Sequence, residues 1–402
     1  MRILVITPFL AVPPRGACEH DRMVGIQQLI RLGHDVRVFS FLAAHQTPTF
    51  EQEATTYLGR PVQCVNYQPL RPTSVRAVWH RLVAAGRHPA LLDGAALPHA
   101  QLDVIEAFDT TLARWTPDVA WFDYTNMWPL LERAKMRGVA TVMRSLNYEP
   151  RHNLDERGRN LANGLRYFGK YLSERTSIQH ANAFAAITPA DRNQYLKLGR
   201  TDCIMLPLRS LPSLLQPPRR PRVRSCLEVF FFGSNYDVSH NRTALLFILK
   251  NIVPKVRRAK PGGFRFHLLG AKAPSDLDGL QSEDVRMQGF VPDLDTFLED
   301  MDIALIPSLH GGGMQQKLFE PLCRAFPLVA SPRGLAGFSV RDGAHALFAN
   351  ESTEFVKALL RLREPALRAK LSAGANRFAE EHFNATVLDS TVEKLLSGAV
   401  NS

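Results

Sequence analysis

The sequence predicts an α/β protein of two tandem Rossmann-like domains, whose parallel sheets would face each other across a cleft. Its 402 residues exceed the roughly 100–200 of a typical single domain. Short apolar runs typical of buried parallel strands alternate with amphipathic helical stretches along both halves of the chain. Residues 207–226 interrupt this alternation with five Pro and five Arg in twenty residues, a composition that excludes a regular element.

The first domain is predicted at 1–207 and opens with a βαβ unit. Strand 3–6 leads through a Pro/Gly loop to an amphipathic helix over 23–30, and Gly33 follows it as expected at a helix C-terminus. Further strands are predicted at 36–41, 119–122, 140–143 and 184–187, with a helix over 129–137. This order predicts a parallel sheet with right-handed crossovers.

The alternation restarts in a second domain, predicted at 227–380. Its strands are predicted at 227–232, 264–269, 285–288, 303–306 and 328–330. Its helices are predicted near 243–258, 294–300, after 311–313, 351–363 and 365–378. Residues 208–226 are interpreted as a linker, with a long surface loop inside one domain as the alternative. The C-terminal segment, 381–402, is a candidate helix for packing back on the first domain.

The charge and the cysteine content favour some classes of partner and exclude others. A formal net charge of +11 and a pI of about 9.6 favour anionic partners such as phosphates or an anionic membrane surface. The charge is spread over both halves, so no nucleic-acid-binding arm is expected. Five widely spaced Cys without a CxxC pair predict neither a disulfide framework nor a zinc site. Without a signal-peptide pattern or a long apolar run, we expect a cytoplasmic protein that could touch the inner membrane face.

The strongest candidate site follows strand 303–306. Its glycine-rich segment consists of Gly311, Gly312, Gly313, Met314 and Gln315. Glycines let the backbone approach a ligand closely, and the N-terminus of the next helix presents unpaired N–H groups to an anion. Lys317 could add a full charge to a phosphate, and Glu320 could accept the two hydroxyls of a ribose. The alternative is a flexible loop before a helix with a surface Lys–Glu pair, worth about a few tenths of a kcal/mol.

Loops after other predicted strands carry further candidates. Gly233 belongs either to a phosphate-binding loop or to a simple tight turn, and Phe290 either stacks on a base or packs in the core. In the first domain, Gly16 could let a diphosphate or sugar approach. Arg144 opens a polar segment suited to acceptor contacts or acid–base chemistry, or to a capped helix start. The chain lacks GxGxxG, Walker, HExxH and GxSxG motifs and a convincing Asp-x-Asp pair, so dehydrogenase and hydrolase classes have no support.

These motifs, in this order, resemble glycosyltransferase family 4, whose members are retaining enzymes with the GT-B fold of two facing Rossmann-like domains. The resemblance is strongest over 230–348. It rests on Phe-Phe-Gly-Ser at 231–234, Gly-Phe-Val-Pro-Asp at 289–293, Gly-Gly-Gly-Met-Gln-Gln-Lys-Leu-Phe-Glu at 311–320, and the strand and loop at 327–338.

The resemblance implies a UDP- or GDP-sugar donor held mainly by the second domain, with no metal or other cofactor. It assigns donor contacts to Gly16, Gly233, Ser234, His240, Arg242, Phe290, Gly311, Gly312, Gly313, Met314 and Gln315. It assigns catalytic roles to Lys317, Glu320, Arg144 and His152, and acceptor contacts to Asn147 and Glu149. Arg144 and His152 enter because a His common in the family's acceptor region is missing here.

The predicted function is retaining transfer of a sugar from a nucleotide-diphosphate sugar to a hydroxyl of a saccharide or lipid-linked saccharide, in polysaccharide or glycoconjugate assembly. Two alternatives remain: a nucleotide-sugar epimerase of the same fold, and a non-catalytic nucleotide-sugar-binding subunit. Residues 71–92 interleave apolar residues with Arg71, Arg76, His80, Arg81 and Arg87. This segment predicts either contact with an anionic membrane carrying the acceptor, or a solvated helix with a packed apolar face.

Overall fold

The computed structural model describes residues 1–14, 16–43, 46–47, 49–66, 75–274, 277, 282–309 and 314–402, with the backbone alone at 17, 75–78 and 80. The strands in this part of the chain are β1 (Arg2–Phe9), β2 (Asp35–Leu42), β3 (Val62–Asn66), β4 (Val119–Phe122), β5 (Ala140–Ser145), β6 (Ala183–Ala186), β7 (Ile204–Met205), β8 (Leu227–Asn235), β9 (Phe264–Ala271), β10 (Val285–Gly289), β11 (Ile303–Ile306), β12 (Leu328–Ala330) and β13 (Leu347–Phe348). The helices are α1 (Ala17–Arg31), α2 (Phe50–Leu58), α3 (Val75–Arg87), α4 (Leu102–Trp115), α5 (Trp128–Met136), α6 (Glu149–Arg157), α7 (Leu161–His180), α8 (Pro189–Lys197), α9 (Ser239–Phe247), α10 (Val253–Ala259), α11 (Leu294–Glu299), α12 (Gln316–Cys323), α13 (Ser352–Arg361), α14 (Pro365–Phe383) and α15 (Ala385–Val400).

These strands form two parallel sheets. The first has the order β3-β2-β1-β4-β5-β6-β7, and the second has the order β10-β9-β8-β11-β12-β13. Every residue of β4 and of β11 is buried, as expected for strands covered by helices on both faces. The predicted fold class, α/β with two Rossmann-like parallel sheets in tandem, is confirmed.

Contacts within the described residues divide the chain into two compact units. One comprises Met1–Ser210 and Ala385–Ser402, and the other comprises Leu211–Asn384. The C-terminal helix α15 therefore belongs to the first unit. It contributes Leu388, Val392, Leu395, Leu396 and Ala399 to the core on one face of the first sheet. On its polar side, Asp389 accepts hydrogen bonds from Gln28 Nε2 at 2.8 Å and Arg31 Nη1 at 2.8 Å.

The Pro/Arg-rich segment is bonded along the second unit. The backbone N–H of Gln216 donates to the carbonyl of Cys323 at 3.0 Å, and that of Arg219 donates to Ser372 Oγ at 2.7 Å. The Arg219 guanidinium lies 3.9 Å from the centre of the Phe326 ring. Residues 211–226 thus hold a fixed path although they contain no strand or α-helix.

Three strands were missing from the prediction: β3, β7 and β13. The last two have only two residues each, too few to leave a hydrophobic pattern. β3 lies at the edge of its sheet and mixes Val with Gln, Cys and Asn. The single helix predicted over 243–258 is instead α9 and α10 joined by a π-helical turn at Ile248–Ile252.

Candidate functional site

The carboxyl ends of β8 and β11 lie side by side, because these strands are neighbours in the second sheet. Loops at this edge of a parallel α/β sheet are the usual place for a ligand. One loop connects β8 to α9, and the other connects β11 to α12. The three glycines predicted to cradle the anion, Gly311, Gly312 and Gly313, lie outside the described residues.

Near its end, β8 has an irregular register between Phe232 and Asn235, and this backbone path requires glycine at position 233. A Cβ added to Gly233 would lie 2.3 Å from the ring of Tyr236, which is buried and donates from its hydroxyl to the carbonyl of Leu269 at 2.8 Å. The next residue, Ser234, has φ of +52°, a left-handed conformation that costs energy outside glycine. Gly233 therefore lies in the irregular end of β8 and not in a tight turn, and its contact with a phosphate stays a prediction.

A chain of hydrogen bonds joins this end of β8 to α12. Lys317 Nζ donates to Asn241 Oδ1 at 3.2 Å, and Asn241 Nδ2 donates to Ser234 Oγ at 3.1 Å. Asn241 is buried in the first turn of α9. The structure thus brings together Lys317 and Ser234, which are 83 positions apart in sequence, through an asparagine that the sequence analysis did not assign to the site.

Lys317 is a cation without a counter-ion among the described residues. Its ammonium lies 5.9 Å from the centre of the Phe231 ring, and its hydrogen-bond partner, the Asn241 amide, is neutral. Burial lowers the pKa of Lys317 to about 8. Because burying an unpaired charge is costly, this position favours an anionic ligand that would restore the ammonium's full charge.

Glu320 lies one turn further along α12 and is held by other groups. Its Oε1 accepts a hydrogen bond from Arg324 Nε at 3.1 Å, and its Oε2 lies 3.4 Å from Gln316 Nε2. Arg324 also donates to Asp295 Oδ1 at 2.6 Å. Within the described residues Glu320 is therefore paired with Arg324, and the surface Lys–Glu pair considered from the sequence does not form.

The remaining donor-side candidates of the second unit differ in exposure. Gln315 precedes α12, and its Oε1 accepts a hydrogen bond from Ser308 Oγ at 2.5 Å, while Met314 is half-buried. In the first turn of α9, His240 is half-buried and Arg242 is exposed. Phe290 is 80% exposed, so the interpretation that it packs in the core is wrong, and base stacking by its ring stays a prediction.

In the first unit, Gly16 stands at the start of α1. Its N–H donates to Glu19 Oε2 at 3.0 Å, and its carbonyl accepts from the N–H of His20 at 2.9 Å. The residue is exposed. Its role is thus to cap α1, and its contact with a donor stays a prediction.

Arg144 lies in a fully buried ionic cluster. Its Nη1 donates to Asp21 Oδ2 at 2.7 Å, and its Nη2 donates to the carbonyl of Pro207 at 3.0 Å. The same Asp21 accepts from the backbone of Arg209, whose side chain reaches Asp123 at 3.2 Å. Burial alone would raise the pKa of Asp21, but the charges of Arg144 and Arg209 outweigh it and hold that pKa below its ordinary value. With no exposed surface, the Arg144 side chain cannot touch an acceptor in this arrangement, which corrects the contact expected from the sequence.

The other acceptor-side candidates lie where β5 turns into α6. The carbonyl of Asn147 accepts a hydrogen bond from Ser145 Oγ at 2.7 Å. Glu149 Oε2 accepts from Lys170 Nζ at 2.9 Å. His152 is partly exposed, and its Nε2 lies 3.3 Å from Glu156 Oε1. Asn147 thus precedes α6, Glu149 and His152 lie in its first turn, and the roles of all three toward an acceptor stay predictions.

A buried glutamate beneath this turn was missed by the sequence analysis. Glu174 Oε1 accepts from the N–H of Glu149 at 3.1 Å and from Thr125 Oγ1 at 3.0 Å, and its Oε2 accepts from the Tyr195 hydroxyl at 2.9 Å. Burial raises the pKa of Glu174 from its ordinary value of 4.5 to about 8. No local motif marks a single glutamate within α7, so tertiary packing alone reveals it.

Glu174 is expected to make stability fall as pH rises. The folded protein keeps the proton up to about pH 8, whereas the unfolded chain releases it near pH 4.5. The contribution is therefore complete below pH 4.5 and is lost toward pH 8, with a slope of about 1.4 kcal/mol per pH unit. Urea unfolding of the wild type and of Glu174→Gln at pH 5, 6, 7 and 8 measures it. Parallel curves for the two proteins would contradict this assignment.

Two searches of the described residues bear on metals and membranes. They contain no group of three or more His, Cys, Asp or Glu that could hold a metal ion. The independence from metal implied by the resemblance stays a prediction, because 310–313 lie outside the described residues. Among the helices described, none is both long and apolar enough to cross a bilayer.

Comparisons with known proteins relate this geometry to a class. Residues 227–364, which include β8, α9, β11 and α12, match the family model of group 1 glycosyl transferases. A search among curated proteins finds no match.

Several solved structures share the fold along the whole chain. HepE of Anabaena in complex with UDP has a TM-score of 0.67 at 14% identity, covering 99% of this chain and 100% of its own. Sucrose-phosphate synthase of Thermosynechococcus elongatus has a TM-score of 0.64 at 13% identity, covering 98% of each chain. A TarM variant of S. aureus in complex with fondaparinux, α-GlcNAc-glycerol and UDP has a TM-score of 0.67 at 10% identity, covering 100% of each. At these identities the likeness establishes the GT-B fold.

Proposed function

We propose that this protein is a glycosyltransferase that transfers a sugar, with retention of configuration, from a nucleotide-diphosphate sugar to a hydroxyl of a saccharide or lipid-linked saccharide. The observation that carries the proposal is the half-buried ammonium of Lys317 at the carboxyl edge of the second sheet, for which the described part of the chain supplies no counter-ion. The match of residues 227–364 to group 1 glycosyl transferases supports it. The fold relatives that were solved in complex with UDP also support it.

This site would assist the reaction mainly by electrostatic stabilisation of the leaving group. As the bond between the sugar C1 and the diphosphate oxygen breaks, negative charge grows on the leaving nucleoside diphosphate, and a preorganised cation stabilises it. Lys317 supplies that cation from a rigid helix, positioned by Asn241. The acceptor oxygen bonds to C1 on the face that the diphosphate leaves, and its proton passes to a diphosphate oxygen. The chain's own residues can therefore assist the reaction without acting as a nucleophile.

A panel of ligands tests the proposal directly. UDP, GDP, ADP and their glucose conjugates are added to the full chain, and the melting temperature is measured. A ligand that binds only the folded state at about 100 times its Kd stabilises it by roughly 2.7 kcal/mol, so at least one nucleotide should raise Tm by several degrees. If no nucleoside diphosphate shifts Tm, the donor site is not at Lys317 and the proposal fails.

Product analysis then separates the alternatives. Transfer to an added saccharide or lipid-linked acceptor supports the proposal. Isomerised sugar in the absence of any acceptor would identify an epimerase instead. Nucleotide binding without transfer or hydrolysis would identify a non-catalytic subunit. The cytoplasmic location expected from the sequence stays a prediction.

The affinity for UDP is expected to fall as pH rises through 8. Below this pH the Lys317 ammonium is charged, whereas above it the free protein must take up a proton to bind the diphosphate. Linkage predicts that Kd at pH 9 is about tenfold weaker than at pH 7. Isothermal titration at the two pH values measures the difference.

Lys317→Arg is the matched control, because arginine stays charged over this range and should bind with little dependence on pH. An equally steep dependence in Lys317→Arg would mean that another group titrates.

A further inference from the structure

We propose that the solvent-facing side of α3 binds an anionic lipid bilayer. This helix presents large apolar side chains to water: Trp79 is 68% exposed, Leu82 56% and Val83 50%. These residues are spaced i, i+3 and i+4, so they share one face of the helix. Among the side chains of this helix that the structure describes, Ala84 packs against the cluster that includes Leu91.

These three described side chains therefore face water, whereas the apolar face of an ordinary surface helix packs inward. A cluster of exposed aromatic and aliphatic side chains on one helix is typical of an interaction surface. Among the described helices that carry exposed apolar residues, α3 is distinguished by its charge. Its thirteen residues contain three Arg and no Asp or Glu, and the stretch 54–92 around it also contains no acidic residue.

The positive charge of α3 indicates which partner binds its exposed face. A helix that contains arginine together with Trp, Leu and Val has the composition of helices that lie in the interface of an anionic membrane, with the apolar side chains below the headgroups. A second copy of this chain would bring a second set of the same arginines to the contact without acidic partners from 54–92. The bilayer thus matches both the apolar face and the positive charge. Because vesicle binding needs no catalysis, the inference stands apart from the proposed glycosyl transfer.

The tryptophans make the test specific. Of the four in the chain, Trp115, Trp121 and Trp128 are at most 7% exposed, so a change in emission on binding reports Trp79. The full chain is mixed with vesicles of equimolar phosphatidylglycerol and phosphatidylcholine, or of phosphatidylcholine alone, and sedimentation and tryptophan emission are measured at low and high salt. We expect binding to the anionic vesicles with a blue shift, weakened by salt through screening.

Three variants decide the outcome. Trp79→Ser/Leu82→Ser/Val83→Ser should bind the anionic vesicles at least about tenfold more weakly, because it removes the apolar contact. Met136→Ser/Val223→Ser, which replaces apolar residues 71% and 87% exposed elsewhere, should bind like the wild type. Trp79→Phe should bind while losing the blue shift. The proposal is overturned if anionic vesicles do not bind, if the triple variant binds unchanged, or if size-exclusion chromatography with light scattering shows a dimer that this variant abolishes.

Discussion

Replacement of Lys317 by alanine is expected to lower kcat/KM for donor turnover by about a hundredfold or more, since removing one preorganised donor from developing charge costs on that order. The loss has two sources. The leaving diphosphate loses a cation that is already partly desolvated, and Asn241 loses the partner that ties α9 to α12. Steady-state kinetics with the nucleotide sugar identified by the ligand panel gives the ratio.

Two variants make this result interpretable. Lys357→Ala removes an exposed lysine from α13 in the same unit and should leave kcat/KM unchanged. Lys317→Arg keeps the charge but not the geometry and should fall between wild type and alanine. Glu320→Ala is expected to lose at least about tenfold, partly because it leaves the buried Arg324 without this carboxylate. Wild-type turnover in both Lys317→Ala and Glu320→Ala would refute the placement of the donor site.

Replacement of Arg144 by alanine is expected to lower the free energy of unfolding by about 3–5 kcal/mol, the usual cost of leaving one member of a buried ion pair unpaired. Asp21 would stay in the interior and would keep only the backbone hydrogen bond and the charge of Arg209. The carbonyls of Leu206 and Pro207 would also lose their donors. Urea denaturation at pH 7, followed by circular dichroism, measures the change.

The matched control for this second prediction is Arg159→Ala, which removes an exposed arginine of the same unit and should change stability by less than about 0.5 kcal/mol. If Arg144→Ala proves too unstable to purify, Arg144→Lys retains a charge and should show an intermediate loss. A protein that stays as stable as wild type but loses transfer would restore the catalytic role implied by the family resemblance. The experiment thus separates a structural arginine from one that touches substrate.

The alternation of buried strands and amphipathic helices was enough to predict both parallel sheets, because strands covered on both faces leave unbroken apolar runs. The run at 303–306 matches β11 residue for residue. The π-helical turn at Ile248–Ile252 could not be predicted in this way, because apolar residues continue through it in the sequence.

The candidate site was predictable only in part. Glycine 233 and the Lys-x-x-Glu spacing on α12 are local patterns, and the sequence shows them directly. Asn241 and Glu174 act through partners that are distant in the chain, so no spacing reveals them. Arg144 shows the opposite error. It directly follows the predicted strand 140–143, so it was expected to be available to a ligand. The structure instead buries its side chain and pairs its guanidinium with Asp21.

The return of α15 to the first unit sets an order for biosynthesis. Leu388, Val392 and Leu395 fill a core whose other members include Ile3 and Val36. While the ribosome is still making the middle of the chain, that apolar face of the nascent first sheet has no cover. The second unit is continuous from Leu211 to Asn384, so its synthesis is complete before that of the first unit. A fragment that stops at Ser210 is therefore expected to be poorly soluble, and adding residues 385–400 as a separate peptide should rescue it.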